Sequence, residues 1–429
     1  MQRNKPLVLA IAGFGTVGSG LIKVIKENRD SIIERTGRDI IVKSVLVRDL
    51  SKSRAAELPE GTTLTDNPDV LVNDPEVDVL VELIGGIAAA KGLITDAIKA
   101  GKHIVTANKA LLAEDGHDLF ALAEKHNVHL TYEASVCGAI PILDSLKQNL
   151  SGNQFKSLVG ILNGTANYIL SEMTTKKLDF DTALKAAQEL GFAEADPTLD
   201  IEGFDAAHKL CLLTRLAFGV EYPFTELPVV GVSRIQPEDI EFAREFGYRV
   251  KLLGQVRNVD GKIEAGVFPM LVHHTLLLAR VGGAYNAVRL EGNACGPLFM
   301  HGQGAGDLAT ASAVLGDILT IGRGAYPNNT GYVKQVPPRA EILAPEDSTS
   351  KYYFRVMVKD VPGVLRDLAG TLAEQDISIA QAIQKDGDEE TVPVVFLTHE
   401  ARAEAVNHAV ESMKSKGLVV EEPVFYRIL

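Results

Sequence analysis

The sequence has no tryptophan, only three cysteines and no unbroken apolar run of about 18 residues. Cys137, Cys211 and Cys295 lie far apart without CxxC spacing, which excludes a disulfide framework and argues against a cysteine-based zinc site. A reducing, cytoplasmic compartment is expected. Without a long apolar run the chain is expected to be soluble, with no membrane association. Arg3, Lys5 and the apolar Leu7–Ile11 superficially resemble a signal peptide, but Gly13, Gly15, Gly18 and Gly20 interrupt the run too early. Positive charge is also scarce: 43 Lys and Arg face 56 Asp and Glu, a net charge of −13, so no general attraction to nucleic acid is expected. No internal repeat or low-complexity tract is visible.

What is present fits a multidomain globular chain. Its 429 residues with 46% hydrophobic content suggest about three domains at roughly 150 residues each. Residues 7–12 read as a short buried strand, and residues 16–34 as a helix with Val17, Leu21, Val24 and Ile25 on one face. Further strands are expected at 40–47, 77–84 and 102–106, with a helix at 91–100. Alternating strands and helices call for an α/β, Rossmann-type, doubly wound parallel sheet, here in a dinucleotide-binding domain at 1–132 that residues near 300–340 would complete. Residues 133–320 read as a mixed α+β substrate-binding and dimerisation domain with helices at 181–190 and 203–217. The Gly- and Pro-rich stretch 321–348 reads as a linker. Residues 349–429 follow the order strand, helix, strand, strand, helix, strand, which is ferredoxin-like; Asp386-Gly387-Asp388 would supply its hairpin turn.

Gly13-Phe14-Gly15-Thr16-Val17-Gly18 sits between the first strand and the first helix. Glycines there allow a tight turn and close backbone approach to a pyrophosphate at the helix N-terminus. After the second strand, an acid would favour NAD and a cation would favour NADP; the residue is Arg48, with Asp49, Lys52 and Arg54 close by, which leans towards NADP. Thr106-Ala107-Asn108-Lys109 follows a strand at the carboxyl edge of the sheet, where ligands of open sheets bind. Glu194, Asp196, Asp200, Glu202 and Asp205 form an acidic run ahead of Lys209. This run is either a solvated helix start or a pocket in which carboxylates hold an ammonium and a lysine moves a proton; Ala206, Leu210 and Leu213 would desolvate that lysine and depress its pKa. The histidines, including His273 and His274, lack the carboxylate pattern of a catalytic zinc site. Gly302-Gln303-Gly304-Ala305-Gly306 precedes a helix and could bring backbone amides to a cofactor.

In combination these segments, with Glu133-Ala134-Ser135-Val136, Asn163-Gly164-Thr165 and Gly191-Phe192-Ala193-Glu194-Ala195-Asp196-Pro197, resemble the homoserine dehydrogenase family over essentially the whole chain. The last unit looks like an ACT domain, Asp360-Val361-Pro362-Gly363-Val364-Leu365 matching its first turn. The resemblance implies NAD(P)-linked interconversion of L-homoserine and L-aspartate 4-semialdehyde, on the way to threonine and methionine. It also implies Lys209 as proton donor, Lys109 beside substrate and nicotinamide as the competitor for that role, Glu194 and Asp205 on the substrate with Asp200 behind them, and Thr106, Gly191 and Gly306 on the coenzyme side. A monovalent cation, usually sodium, would lie against Glu133, Val136, Gly138 and Ile140, held in a hard-oxygen cage of one carboxylate and backbone carbonyls. Phe192 stands where some members carry tyrosine. Asp360, Gly363 and Val364 would form a regulatory site, with threonine as the expected effector in a homodimer or homotetramer. The competing readings are a dehydrogenase of a related amino-acid semialdehyde, for which no cysteine sits in a nucleophile context, and an amino-acid sensor with an inactive oxidoreductase core.

Overall fold

The structure, a computed structural model, describes residues 5–52, 57–324, 327–334, 336–385 and 390–429. Arg54 and the Asp386-Gly387-Asp388 turn lie outside the described residues. The chain forms two compact units: Met1–Lys156 with Ala207–Glu226 and Tyr285–Ala340, and Ser157–Ala206 with Leu227–Ala284 and Glu341–Leu429.

The first unit is built on a parallel sheet of β1 (Leu7–Ala12), β2 (Ile40–Leu46), β3 (Thr63–Thr65), β4 (Val79–Glu82), β5 (His103–Thr106) and β6 (Leu130–Thr131), in the order β3-β2-β1-β4-β5-β6. Every residue of β1 is buried, the pattern of a central strand covered on both faces, which is why its sequence is apolar without alternation. The doubly wound sheet is therefore as expected. The first helix is not continuous over 16–34: Thr16–Glu27 stops at Asn28, whose φ of −107° and ψ of 15° leave the helical region, and Arg29–Thr36 starts anew. Three-residue β3 is too short to leave a periodic signal. Helix Asp307–Gly322 returns from far along the chain to pack against Thr16–Glu27. Gly20 permits that approach, since a Cβ there would lie 2.8 Å from the Asp307 carbonyl oxygen. Ala311, Val314, Ile318 and Ile321 bury their side chains with Leu9 and Ile11, each such burial contributing roughly 1.5–3 kcal/mol for the larger residues. Within the stretch 321–348, Asn329 is buried and its Oδ1 accepts from the Leu130 amide at 2.8 Å.

In the second unit, strands Phe155–Ile161, Tyr248–Val259, Lys262–His273, Val424–Ile428, Thr349–Lys359, Thr391–Thr398 and Ile379–Gln384 follow one another across a mixed sheet. The last four, with helices Val364–Ala373 and Ala403–Ser415, make the ferredoxin-like arrangement. Its C-terminal strand also pairs in parallel with Lys262–His273, Arg427 opposite Met270, so the sheet continues past the ACT-like elements. Helices Gly164–Lys176, Phe180–Glu189 and Pro237–Glu245 pack alongside. Among the described residues no helix is long and apolar enough to cross a membrane.

Candidate active site

The glycine turn after β1 has a different constraint at each position. Gly13 adopts φ 105°, and a Cβ on it would lie 2.5 Å from the Leu83 carbonyl oxygen. A Cβ on Gly18 would lie 2.3 Å from the Gly13 carbonyl oxygen, so these two glycines close the turn on itself. Gly15 faces nothing within 4 Å. The open space belongs to a cavity of about 1250 Å³ lined by Gly13, Phe14, Gly15, Thr16, Arg48 and Lys52 among others. A dinucleotide fits this donor set: backbone amides at the start of Thr16–Glu27 meet a pyrophosphate, and cations flank the far end. Asp49 also lines the cavity, but its Oδ1 accepts from both the amide and the hydroxyl of Ser51, at 2.8 and 2.6 Å. Val17 packs against the core and Gly18 serves the turn; neither lines the cavity.

At the end of β4 and β5 the chain builds a buried hydrogen-bond network that the sequence reading did not anticipate. The Glu82 side chain is fully buried. Its Oε1 accepts from the amides of Ile84 and Gly85 at 2.9 and 3.2 Å, and its Oε2 from the Thr106 hydroxyl at 2.6 Å. Thr106 Oγ1 in turn accepts from the Asn108 amide at 3.0 Å, and Asn108 Nδ2 donates to the Gly86 carbonyl at 2.6 Å. Asn108 Oδ1 also caps helix Lys109–Glu114 through the Leu111 amide. Thr106 is thus a buried support, and Lys109, partly buried, is placed on the first residue of a capped helix. An acid closing the apolar strand Val-Leu-Val-Glu is the signal that could have revealed Glu82, since buried carboxylates need donors.

Lys209 lies on helix Phe204–Phe218 and is 8% exposed. Ala206, Leu210 and Leu213 of the same helix are buried as well. Its neighbour His208 contacts Glu114 Oε1 through Nε2 at 3.0 Å and stacks on Phe224 with ring centroids 4.2 Å apart. These contacts fix the face that the helix presents.

The acidic residues divide by burial. Asp205 is buried, Asp200 half-buried and Glu194 exposed. Asn163 Nδ2 donates to Asp200 Oδ1 at 2.6 Å and to Asp205 Oδ2 at 2.8 Å, bringing the two aspartates together. Glu194 sits in the turn after Phe180–Glu189, held by Thr165 Oγ1 on the Phe192 carbonyl at 2.7 Å and Gln188 Nε2 on the Glu194 carbonyl at 3.1 Å. Gly191 opens this turn at φ 76°. Phe192 packs its ring against Tyr168, centroids 4.9 Å apart, so the ring position keeps a packing role without a hydroxyl.

In the segment 133–140, Cys137 and Gly138 both adopt positive φ, 58° and 52°. A Cβ on Gly138 would lie 2.6 Å from the Gly304 carbonyl oxygen. The Glu133 carboxylate is turned to the amides of Leu143 and Asp144 at 2.9 and 2.7 Å, while its own amide donates to Asp317 Oδ2 at 2.8 Å. Burial pushes Glu133 up to about 7 and Asp317 up to about 8 against the opposing charge of Lys147. The donors left for a monovalent cation are main-chain carbonyls, a hard-oxygen set that suits such an ion: among the described residues those of Val136 and Gly138 accept no hydrogen bond, while that of Glu133 accepts from the Val136 amide at 3.2 Å and that of Ile140 from the Ile142 amide at 2.8 Å. Gly306, at φ 128°, starts helix Asp307–Gly322, whose first residue lines the coenzyme cavity.

At the ACT-like turn, Asp360, Gly363, Val364 and Gln384 line an open cavity of about 450 Å³. Gly363 adopts φ 96° as the N-cap of the ten-residue helix Val364–Ala373, whose first residues Val364 and Leu365 line the cavity.

The geometry agrees with the similarities to known proteins. Residues 13–133 match the homoserine dehydrogenase NAD-binding domain, 141–319 the homoserine dehydrogenase family, and 352–415 the ACT domain. The homoserine dehydrogenase of Neisseria gonorrhoeae is 42% identical over 98% of this chain and 98% of its own, and that of Bacillus subtilis 36% identical over 99% and 98%. A crystal structure of a homoserine dehydrogenase from Thiobacillus denitrificans superposes with a TM-score of 0.94 at 42% identity, covering 99% of this chain and 98% of that one. A hyperthermophilic archaeal homoserine dehydrogenase solved with NADPH superposes with a TM-score of 0.64 at 26% identity, covering 76% of this chain and 99% of that one. A dinucleotide turn, a catalytic-domain lysine helix and an ACT unit in this order are the parts of one known oxidoreductase, and the chain belongs to the homoserine dehydrogenase family.

Proposed function

We propose that the protein interconverts L-homoserine and L-aspartate 4-semialdehyde with NADP preferred over NAD, in the route to threonine and methionine in the cytoplasm. The observation that carries the coenzyme choice is the rim of the large cavity, where Arg48 and Lys52 stand and Asp49 is occupied by Ser51. A guanidinium can make charge-assisted hydrogen bonds to a 2′-phosphate, which only NADP carries. When bound, the nicotinamide supplies or accepts the hydride. Gly13, Phe14, Gly15, Thr16, Val17, Gly18, Thr106, Gly191 and Gly306 form or support the coenzyme side.

Lys209 gives its proton to the oxygen of the semialdehyde as negative charge develops there, and takes one from the homoserine hydroxyl in the reverse direction. Lys109 orients the substrate and keeps positive potential at the same oxygen. Glu194 and Asp205, with Asp200, hold the substrate ammonium. A sodium ion held at Glu133, Val136, Gly138 and Ile140 would stiffen the loop. Domains at 1–132, 133–320 and 349–429 then carry coenzyme, substrate and effector, with the effector, threonine, at Asp360, Gly363 and Val364 of a homodimer or homotetramer.

The test is homoserine oxidation followed by absorbance with NAD and NADP side by side, repeated for Arg48→Ala. Activity with either coenzyme and a selective rise in KM for NADP in the variant are expected. No oxidation of homoserine would sink the reaction, and equal losses with both coenzymes would remove Arg48 from the 2′-phosphate.

A further inference from the structure

We propose that Asn163 is a positioning residue for the substrate ammonium, its one side-chain amide holding Asp200 and Asp205 together as the carboxylate pair that receives the charge. The inference rests on the reading that these aspartates bind the amino group. Asn163 is 4% exposed and is the N-cap of helix Gly164–Lys176, two residues after the strand that ends at Ile161. Its Oδ1 accepts from the Ala166 amide at 2.7 Å. Because that amide can only donate, the oxygen must point there, and Nδ2 must point to the carboxylates, which only accept when ionised. The amide orientation is therefore fixed by chemistry on both sides.

Two carboxylates brought side by side repel each other, and a donor shared between them offsets that repulsion and fixes their spacing. The NH2 group of Asn163 carries two hydrogens set at a fixed angle, one for Asp200 Oδ1 and one for Asp205 Oδ2. It sets the spacing of the pair and which oxygen of each aspartate is turned away from it. The helix cap locks the amide in turn, so the geometry of the pair is tied to the start of Gly164–Lys176. An aspartate at 163 would keep the cap, since Asp and Asn cap helices equally well, but it would remove both donors and add a third negative charge. Serine would also keep the cap while lacking the second donor.

The experiment compares Asn163→Asp and Asn163→Ser with the wild-type full chain. Melting temperature, NADPH affinity by fluorescence titration, and steady-state constants are measured for homoserine and for 4-hydroxybutanoate, which lacks the ammonium. The proposal expects near-wild-type NADPH affinity, a rise in homoserine KM of about tenfold or more from the loss of charge-assisted hydrogen bonds, and a fall in the preference for homoserine over 4-hydroxybutanoate. A purely structural Asn163 would leave that preference unchanged. Wild-type KM and preference in both folded variants would overturn the proposal. Asp205→Asn and Glu194→Gln run in parallel separate it from the underlying reading: if they too leave the homoserine KM unchanged, the ammonium site lies elsewhere; if they raise it while both Asn163 variants are silent, only the positioning role falls.

Discussion

Arg355 and Asp239 form a buried bidentate pair, Nε to Oδ1 at 2.6 Å and the second guanidinium nitrogen to Oδ2 at 3.1 Å, joining strand Thr349–Lys359 of the ACT unit to helix Pro237–Glu245. Tyr353 donates to the same Oδ1 at 2.9 Å. Burial disfavours the charge on Arg355, yet the Asp239 hydrogen bond and the charges of Asp239 and Glu238 more than offset it and raise its pKa. The helix so fixed also packs against Gly164–Lys176, the helix capped by Asn163.

Asp239→Ala should therefore leave a buried guanidinium without its main partner and destabilise the full chain by roughly 3–5 kcal/mol. Denaturant unfolding measures it. A double variant, Asp239→Leu with Arg355→Met, should recover most of the loss, because apolar replacements of a buried pair cost little. A single variant as stable as the wild type would mean that the pair contributes nothing.

Lys209→Ala should lower turnover by about two to four orders of magnitude, the usual contribution of a positioned acid/base group, with NADPH affinity retained. Turnover within about threefold of wild type would transfer the proton role to Lys109.

Gly15→Ala and Gly13→Ala should separate coenzyme binding from folding. The new Cβ at 15 meets no protein atom within 4 Å and enters the open space of the coenzyme cavity, so NADPH affinity should fall at nearly unchanged melting temperature. At 13 the Cβ would meet the Leu83 carbonyl at 2.5 Å with φ at 105°, so stability itself should fall, by ~1–3 kcal/mol. Equal melting temperatures for the two variants would contradict the assigned geometry.

His103 accepts from the His129 amide through Nδ1 at 3.0 Å, which requires a neutral ring. Burial, with His129 nearby, pushes its pKa from the ordinary 6.5 down to about 4. Between these values the unfolded chain binds the extra proton, so this contribution to stability is complete above pH 6.5 and lost as pH falls towards 4. His103→Asn should flatten the pH dependence of unfolding in that window by at most about 1.4 kcal/mol per pH unit. Parallel pH profiles for variant and wild type would show that His103 does not titrate there.

The sequence by itself determined the local structure and the chemical types at the site. The apolar run of β1 gave its strand, the glycines at 13, 15 and 18 gave the turn, and residues 349–429 gave a ferredoxin-like order, because these depend on neighbours within a few positions. Even locally, the break at Asn28 escaped because the apolar periodicity around it continues in both helices. Tertiary structure alone decided which polar groups meet. Glu82 reaches Thr106 across 24 positions, Asn163 reaches Asp200 across 37, and Arg355 reaches Asp239 across 116. No periodicity encodes such pairs. A buried carboxylate must find its donors wherever the folded chain brings them, and the requirement that it be satisfied becomes visible only once burial is known.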